Sequence, residues 1–230
     1  MKIQPISDYN TKLSLYQKET FKILEKTNAF VQNGHFVYQA GYHCRDYVAK
    51  DRITLNPLAI DEIGRMLADL MKNYEIDTVA VPAVGGVVLG HVVARYLSNF
   101  KGKLVNSIFV ERTGEKNLDN SYRYEVTRCH GEYVYEKNIA VLEDIMNSGA
   151  TVKNVITCIQ NAGGIVTIVG VVRNRGEMKA GDFGENIDLI NLSTIKLETY
   201  DSNKCPLCAS GVPINTTFGH GKKFLENQKK

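Results

Sequence analysis

Two adjacent carboxylates, Glu143 and Asp144, precede a short polar run, Asn147, Ser148, Gly149, Ala150 and Thr151, and this segment is where residue types and spacing most directly suggest chemistry. The string from 139 to 151, IAVLEDIMNSGAT, reads as a buried apolar strand (138–142) that ends in the acid pair, turns through a polar loop and enters a helix at about Gly149. Ligands of open parallel sheets bind beyond the carboxyl ends of the strands, which is where the acids fall on this reading. The loop offers backbone N–H groups and two hydroxyls at a helix N-terminus, where partial positive charge favours a phosphate. A carboxylate pair one loop away can accept hydrogen bonds from the vicinal hydroxyls of a ribose, and its charge favours positive character developing at an anomeric carbon. The competing reading is a plain strand-to-helix turn with solvated acids, because Asn, Ser and Gly are ordinary turn formers.

The flanking sequence contains the elements such a site needs. Asn56 and Pro57 read as an N-cap and first helical position, after which Leu58, Ile60, Ile63, Met66, Leu67, Leu70 and Met71 recur at helical spacing. A strand over 78–83, a turn at Gly85 and Gly86, a helix over 87–100, and strands over 104–110 and 165–172 extend the alternation. Repeated strand-helix-strand units predict an α/β fold with a central parallel sheet and helices on both faces. Residues 11–30 carry a loose helical stripe, and 35–53 read as short strands or a hairpin. The charged stretch 111–137 predicts a mobile loop plus a hairpin, and the last ten residues are expected to fray.

Composition narrows the function classes. A chain of 230 residues with 43% hydrophobic content suffices for one large α/β domain with a small appended piece. Lys and Arg total 28 against 25 Asp and Glu, so the net charge of +3 falls far short of the basic surface that holds nucleic acid. Neither a membrane span nor a signal-type apolar core is visible, which predicts a cytoplasmic protein with no membrane partner. Five scattered cysteines do not resemble a disulfide framework. Cys205 and Cys208 have metal-ligand spacing, but one pair with only His220 nearby falls short of a four-ligand set, so no protein-held metal is expected.

The 139–151 string resembles the phosphoribosyl-pyrophosphate motif of type I phosphoribosyltransferases: hydrophobic strand, two acids, two apolar residues, then a Gly-containing hydroxyl loop. VAVPAVGGVVLG, residues 79–90, is similar to that family's pyrophosphate loop, where small residues let the backbone approach a diphosphate. Three more segments, 34–53, 168–177 and 205–214, resemble orotate phosphoribosyltransferases, so the likeness runs from about Gly34 to Ile214. It implies a type I fold with a core over 56–200, an N-terminal hood over 1–55, and a tail over 201–230 packing on the hood. It also implies transfer of ribose 5-phosphate from phosphoribosyl pyrophosphate to orotate in a homodimer, with Mg2+ held mainly through the substrate diphosphate. The alternatives are a purine phosphoribosyltransferase and a non-catalytic phosphoribosyl-pyrophosphate-binding regulator.

Residue by residue, the resemblance places Glu143, Asp144, Ile145, Met146, Asn147, Ser148, Gly149, Ala150 and Thr151, with Val84 and Gly85, against phosphoribosyl pyrophosphate. Glu143, Asp144, Arg112 and Lys116 fall in catalytic positions, and Asn147, Arg175, His43 and Lys50 near the base. An Arg175 fork suits a planar carboxylate such as that of orotate. The chain departs from the pattern with Asn147 where Thr is common and Asn174 where Asp often precedes the Arg. In the expected mobile loop, FVERTGEKNLDN, Arg112 and Lys116 are the only cations and no His is present.

Overall fold

The computed structural model describes residues 6–38, 40–117, 121–194 and 197–228. From the N-terminus come helix α1 (Ile6–Lys26), the short strands β1 (Phe30–Val31), β2 (Phe36–Val37), β3 (His43–Cys44) and β4 (Tyr47–Val48), and helices α2 (Asp51–Thr54) and α3 (Pro57–Met71). Strand β5 (Thr78–Pro82), helix α4 (Val87–Lys101), strands β6 (Asn106–Lys116) and β7 (Tyr122–Glu125), and strand β8 (Asn138–Met146) follow. Helix α5 (Ala150–Asn161), strands β9 (Ile165–Asn174), β10 (Asp188–Asn191) and β11 (Thr199–Tyr200), and helices α6 (Pro206–Ala209) and α7 (Gly221–Gln228) come last.

These elements form two compact units. The first contains residues up to Thr20 together with Pro57–Thr194; the second contains Phe21–Asn56 and the stretch after Thr194. The first is built on a six-stranded sheet of order β10-β9-β8-β5-β6-β7, parallel except for the β6–β7 pair. The inner stretches of its central strands are apolar because both faces are covered: Val79, Ala80, Ile139, Val141, Leu142 and Val169 have essentially no exposure. Helices α3 and α4 pack on each other and on β5, β6, β9 and β10, while α5 packs on β7, β8 and β9. Close approach needs small residues: a Cβ on Gly90 of α4 would lie 2.7 Å from a methyl of Val81, and one on Gly170 of β9 would lie 2.6 Å from a methyl of Leu142.

Two strands outrun the sequence expectation. β8 does not stop at Leu142 but continues through both acids to Met146, because β9 pairs with it through Glu143↔Val171, Ile145↔Arg173 and Met146↔Asn174. β6 runs from Asn106 to Lys116, so the expected mobile loop is in its first half a strand, paired with β7 through Arg112↔Tyr124 and Lys116↔Tyr122. Its tip, residues 118–120, lies outside the described residues. Strand β10, four residues long, has no counterpart in the sequence reading.

In the second unit, β11, β3 and β2 form a small antiparallel sheet, and β1 pairs with β4. The tail is ordered through residue 228: the His220 amide donates to the Val37 carbonyl at 2.8 Å, and Phe224 of α7 packs edge-on against the His43 ring.

Residues before Phe21 belong with the sheet because Asp69 of α3 gathers three donors. It accepts from Tyr16 Oη at 2.7 Å and Lys72 Nζ at 2.8 Å, and Lys12 Nζ lies 3.0 Å away. Burial alone would raise the Asp69 pKa, but these donors overcome it and hold the carboxyl down at about 2. A depressed folded-state pKa contributes stability that is present above the unfolded value and is lost as pH falls through the folded one. Asp69→Asn is expected to cost about 1 kcal/mol at neutral pH after allowance for solvent screening. In urea titrations the gap from the parent should close as pH falls from about 4 to about 2.

Candidate active site

The sheet order places a switch point between β5 and β8. From β5 the chain crosses by α4 to β6 on one side, and from β8 it crosses by α5 to β9 on the other, so right-handed crossovers put α4 and α5 on opposite faces. The crevice beyond the carboxyl ends of two such strands is the usual ligand site of open α/β sheets. Pairing widens it here. β5 and β8 are in register only as far as Ala80↔Val141, whereas β8 and β9 stay paired five residues further, to Met146↔Asn174. The end of β8, with both acids, thus has a partner strand on the β9 side alone.

Glu143 is buried and Asp144 half-buried at this edge. Glu143 Oε1 accepts from the Asp144 amide at 3.2 Å, and Asp144 Oδ1 accepts from the Ile145 amide at 2.6 Å, so both carboxylates are oriented by main chain. Asn147 and Ser148 are exposed, and Gly149 caps α5 in the left-handed region at φ 73°. Ala150 and Thr151 form the first turn of α5, so exposed loop and helix N-terminus coincide as the sequence predicts. Gly149 is needed for its backbone conformation, and the space behind it is taken by Met178 and Phe183.

Across the switch point, Val84 and Gly85 are exposed in the turn between β5 and α4. The turn is anchored by the Ala83 amide donating to the Val110 carbonyl at 2.9 Å, and the Ala83–Val84 peptide bond is cis. A Cβ on Gly86 would lie 2.9 Å from the Val81 Cβ, which requires the second glycine of the pair.

Arg175 is joined to the phosphate-loop candidate by backbone. Its amide donates to the Met146 carbonyl at 2.8 Å, and its Nη1 lies 3.4 Å from Asn147 Oδ1. The next residue, Gly176, is so close that a Cβ there would lie 1.7 Å from the Asn147 carbonyl oxygen. Asn174, where the family pattern favours Asp, is buried and ties off the turn: its Nδ2 donates to the Met178 carbonyl at 2.7 Å, and its Oδ1 accepts from the Met178 amide at 3.1 Å. Sequence reasoning missed both roles. The one available signal was an Asn and a Gly bracketing an Arg after an apolar strand.

Arg112 and Lys116 lie further out along β6. Arg112 Nε donates to Tyr124 Oη at 3.0 Å, and its guanidinium stacks 4.6 Å from the Tyr122 ring centroid; Lys116 Nζ is 5.3 Å from the same ring. Three strand residues lie between the two, yet both cationic groups gather on the Tyr122 ring, the Arg112 guanidinium nearer to it than Lys116.

The second unit holds the other two base-site candidates. Lys50 is half-buried at the N-cap position of α2. His43 is fully buried, with Nδ1 2.8 Å from His35 Nε2 and 3.4 Å from Cys208 Sγ. Burial, and then the neighbouring His35, push its pKa below the usual histidine range. It offers no open surface to a base, contrary to the expectation from its place in the sequence: β2 and β11 flank its strand, and Phe224 lies against its ring.

The phosphoribosyl transferase domain, as a family model, matches residues 49–189 of this geometry, from before α3 to β10. The chain belongs to the phosphoribosyltransferase family. An orotate phosphoribosyltransferase of Thermotoga maritima is 36% identical over 203 residues, covering 88% of this chain and 98% of that protein. Among solved structures, an orotate phosphoribosyltransferase of Mycobacterium tuberculosis in complex with Fe(III) dicitrate has a TM-score of 0.60 at 18% identity, covering 78% of this chain and 97% of that one. An adenine phosphoribosyltransferase of Thermoanaerobacter pseudethanolicus has a TM-score of 0.53 at 18% identity, covering 65% and 88%. Enzymes for different bases therefore share this sheet, and the fold is that of type I phosphoribosyltransferases, as expected from the sequence.

The Gly176 contact yields a direct test of how the site is held. Gly176→Ala must part the 147 and 176 turns and is expected to cost about 1–3 kcal/mol in denaturant unfolding. Gly114→Ala, where nothing lies within 4 Å of an added Cβ, should stay within about 0.5 kcal/mol of the parent.

Proposed function

We propose that this phosphoribosyltransferase transfers ribose 5-phosphate from phosphoribosyl pyrophosphate to orotate, giving orotidine 5′-monophosphate and pyrophosphate. The observation that carries the reading is the backbone junction at the carboxyl ends of β8 and β9, where the Arg175 amide meets Met146 and the 175–176 turn lies on Asn147. A guanidinium able to read a carboxylate thereby stands beside a loop able to hold a sugar phosphate. The orotate phosphoribosyltransferase of Thermotoga maritima, similar over nearly its whole length, supports the choice of base.

In this reading the amides of 147–151 and the hydroxyls of Ser148 and Thr151 hold the 5′-phosphate, helped by the positive end of α5. Glu143 and Asp144 accept hydrogen bonds from the ribose hydroxyls. The ring nitrogen of orotate attacks C1′ and loses its proton, while the C1′–O bond breaks and its electron pair leaves with pyrophosphate. Positive character at C1′ is greatest between those events, and the acid pair's charge favours it then. The turn at Val84 and Gly85 and the cation Arg112 receive the diphosphate, with Lys116 further out. Arg175, steadied by Asn147, holds the orotate carboxylate. Adjacent carboxylates beside a diphosphate suit a hard divalent cation. Mg2+, held mainly through the substrate with Glu143 and Asp144 at hand, neutralises diphosphate charge when bound. A cytoplasmic homodimer belongs to the same reading; among the described residues no helix is long and apolar enough to cross a membrane.

Pyrophosphate release from phosphoribosyl pyrophosphate, Mg2+ and a panel of bases tests the activity itself. Orotate should support it, and a chain that used only a purine would belong to the alternative class. Asp144→Asn should fold normally yet lose about 2–4 kcal/mol of transition-state stabilisation, a fall in kcat of roughly 30- to 1000-fold. Turnover within twofold of the parent would remove Asp144 from the ribose site.

Arg175→Lys keeps the charge and loses the fork. It should lower kcat/KM for orotate by at least roughly tenfold more than for uracil, which lacks the carboxylate. An equal loss with both bases would mean that Arg175 does not read the base.

A further inference from the structure

Two histidines and two cysteines from distant parts of the sequence meet inside the second unit. His35 immediately precedes β2, His43 opens β3, Cys205 caps α6, and Cys208 lies within it. One ligand atom from each lies within 4.8 Å of every other. Cys208 Sγ is 3.4 Å from His43 Nδ1 and 3.8 Å from His35 Nε2, and Cys205 Sγ is 3.7 Å from His35 Nε2. In a tetrahedral zinc site with Zn–N of about 2.0–2.1 Å and Zn–S of about 2.3 Å, the edges of the ligand tetrahedron are roughly 3.3–3.8 Å. Three of the four sulfur–nitrogen edges, 3.4, 3.7 and 3.8 Å, are of that length, and the fourth is within 4.8 Å. The His35–His43 edge, 2.8 Å, is short by about half an ångström, a displacement that side-chain rotation can supply.

The surroundings favour ligation. His35 Nδ1 lies 2.7 Å from the Val212 carbonyl oxygen, which can only accept, so Nδ1 carries the proton and Nε2 turns its lone pair into the cluster. A carbonyl partner on the far nitrogen is the usual device that orients a metal-bound histidine. His35, His43 and Cys205 are buried, whereas Cys208 is at the surface, so an ion can reach the donors from solvent. Two thiolates with two imidazoles select zinc over the hard cations that prefer oxygen.

The site also meets a structural need. Strand β3 pairs with β2 and with β11 through two residues each, and β11 and α6 come from the far end of the chain. Hydrogen bonding alone gives so small a sheet little stability, and small units of this kind commonly rely on a metal or disulfide. The His35 and His43 pair cannot be connected to the CxxC by sequence spacing, which points instead to His220. That residue is exposed, and its backbone rather than its ring is engaged, through the Val37 carbonyl.

We propose that His35, His43, Cys205 and Cys208 bind one zinc ion that ties β2, β3 and α6 together. The full chain, purified under reducing conditions, stripped with a chelator and reloaded with zinc, is assayed by elemental analysis after removal of free metal. About one zinc per chain is expected in the parent, with a loss of at least roughly tenfold in Cys208→Ser and in His43→Gln. Loading with Co2+ should give the intense visible bands of a tetrahedral site together with a thiolate charge-transfer band, both absent from Cys208→Ser. Because a variant can lose metal by misfolding, thermal unfolding is measured as well. Chelator should lower the Tm of the parent and leave that of Cys208→Ser unchanged. A parent that retains no zinc after reloading overturns the site, as does an octahedral cobalt spectrum. Full zinc retention in both variants would place the metal elsewhere, for example at exposed Cys129, and would overturn it too.

Discussion

The two ladders of β8 end at different places, and the candidate active site depends on that difference. Towards β5 the pairing stops at Val141; towards β9 it continues to Met146. A strand paired on both sides along its buried half and on one side at its end keeps an apolar segment rigid and leaves acidic residues at an open edge. The Glu143 and Asp144 carboxylates, the Asn147–Gly149 loop and the first turn of α5 are all positioned by that one strand. The turn after β9 gains its place through the same pairing, since Met146↔Asn174 brings Arg175 and Gly176 against Asn147.

Much of this was legible because it is written in periodicity and turn chemistry. Helix α3 begins at Pro57, where Asn56-Pro57 and a three-and-four apolar spacing place it, and α5 begins within a residue of the glycine that marks it. The unbroken apolar runs of β5, β8 and β9 signal strands buried on both faces. Strand ends were not legible. Glu143 and Asp144 look like a terminus because charge is rare inside a buried strand, yet they stay in β8 because the ladder to β9 is satisfied by backbone whatever the side chains are. The same reason hides the outer half of β6, whose residues Glu111–Lys116 are polar and are held in a strand by β7.

Close backbone approach is a second kind of information that a single sequence withholds. Gly176 reads as one glycine in a polar turn, but its missing Cβ is what lets the Arg175 turn lie on Asn147. Asn174 reads as a departure from an acidic family position. In the structure its amide side chain uses both a donor and an acceptor on Met178, which a carboxylate could not do. The reduced cation set of β6 has a related explanation. Arg112 is oriented by Tyr124 and stacked on Tyr122, so its guanidinium is held in place by the hairpin rather than carried on a freely moving loop.

The second unit poses the opposite problem, because its parts are distant in sequence and its strands are only two residues long. Bringing residues near 43 and near 205 together closes a loop of roughly 160 residues, an entropic cost that a pair of ladder hydrogen bonds offsets poorly. The buried side chains of this small sheet and α6 include Phe36, Val37, Cys44 and Leu207, but also His35, His43 and Cys205. Imidazoles and thiols are poor core formers next to the Leu, Ile and Val that fill the sheet unit, and His43 Nε2 finds no hydrogen-bond partner there. Polar donors gathered at the point where two ends of a chain must be held are a costly way to build an apolar core. They are an economical way to hold a cation, which gains affinity from the same convergence that burial alone would penalise.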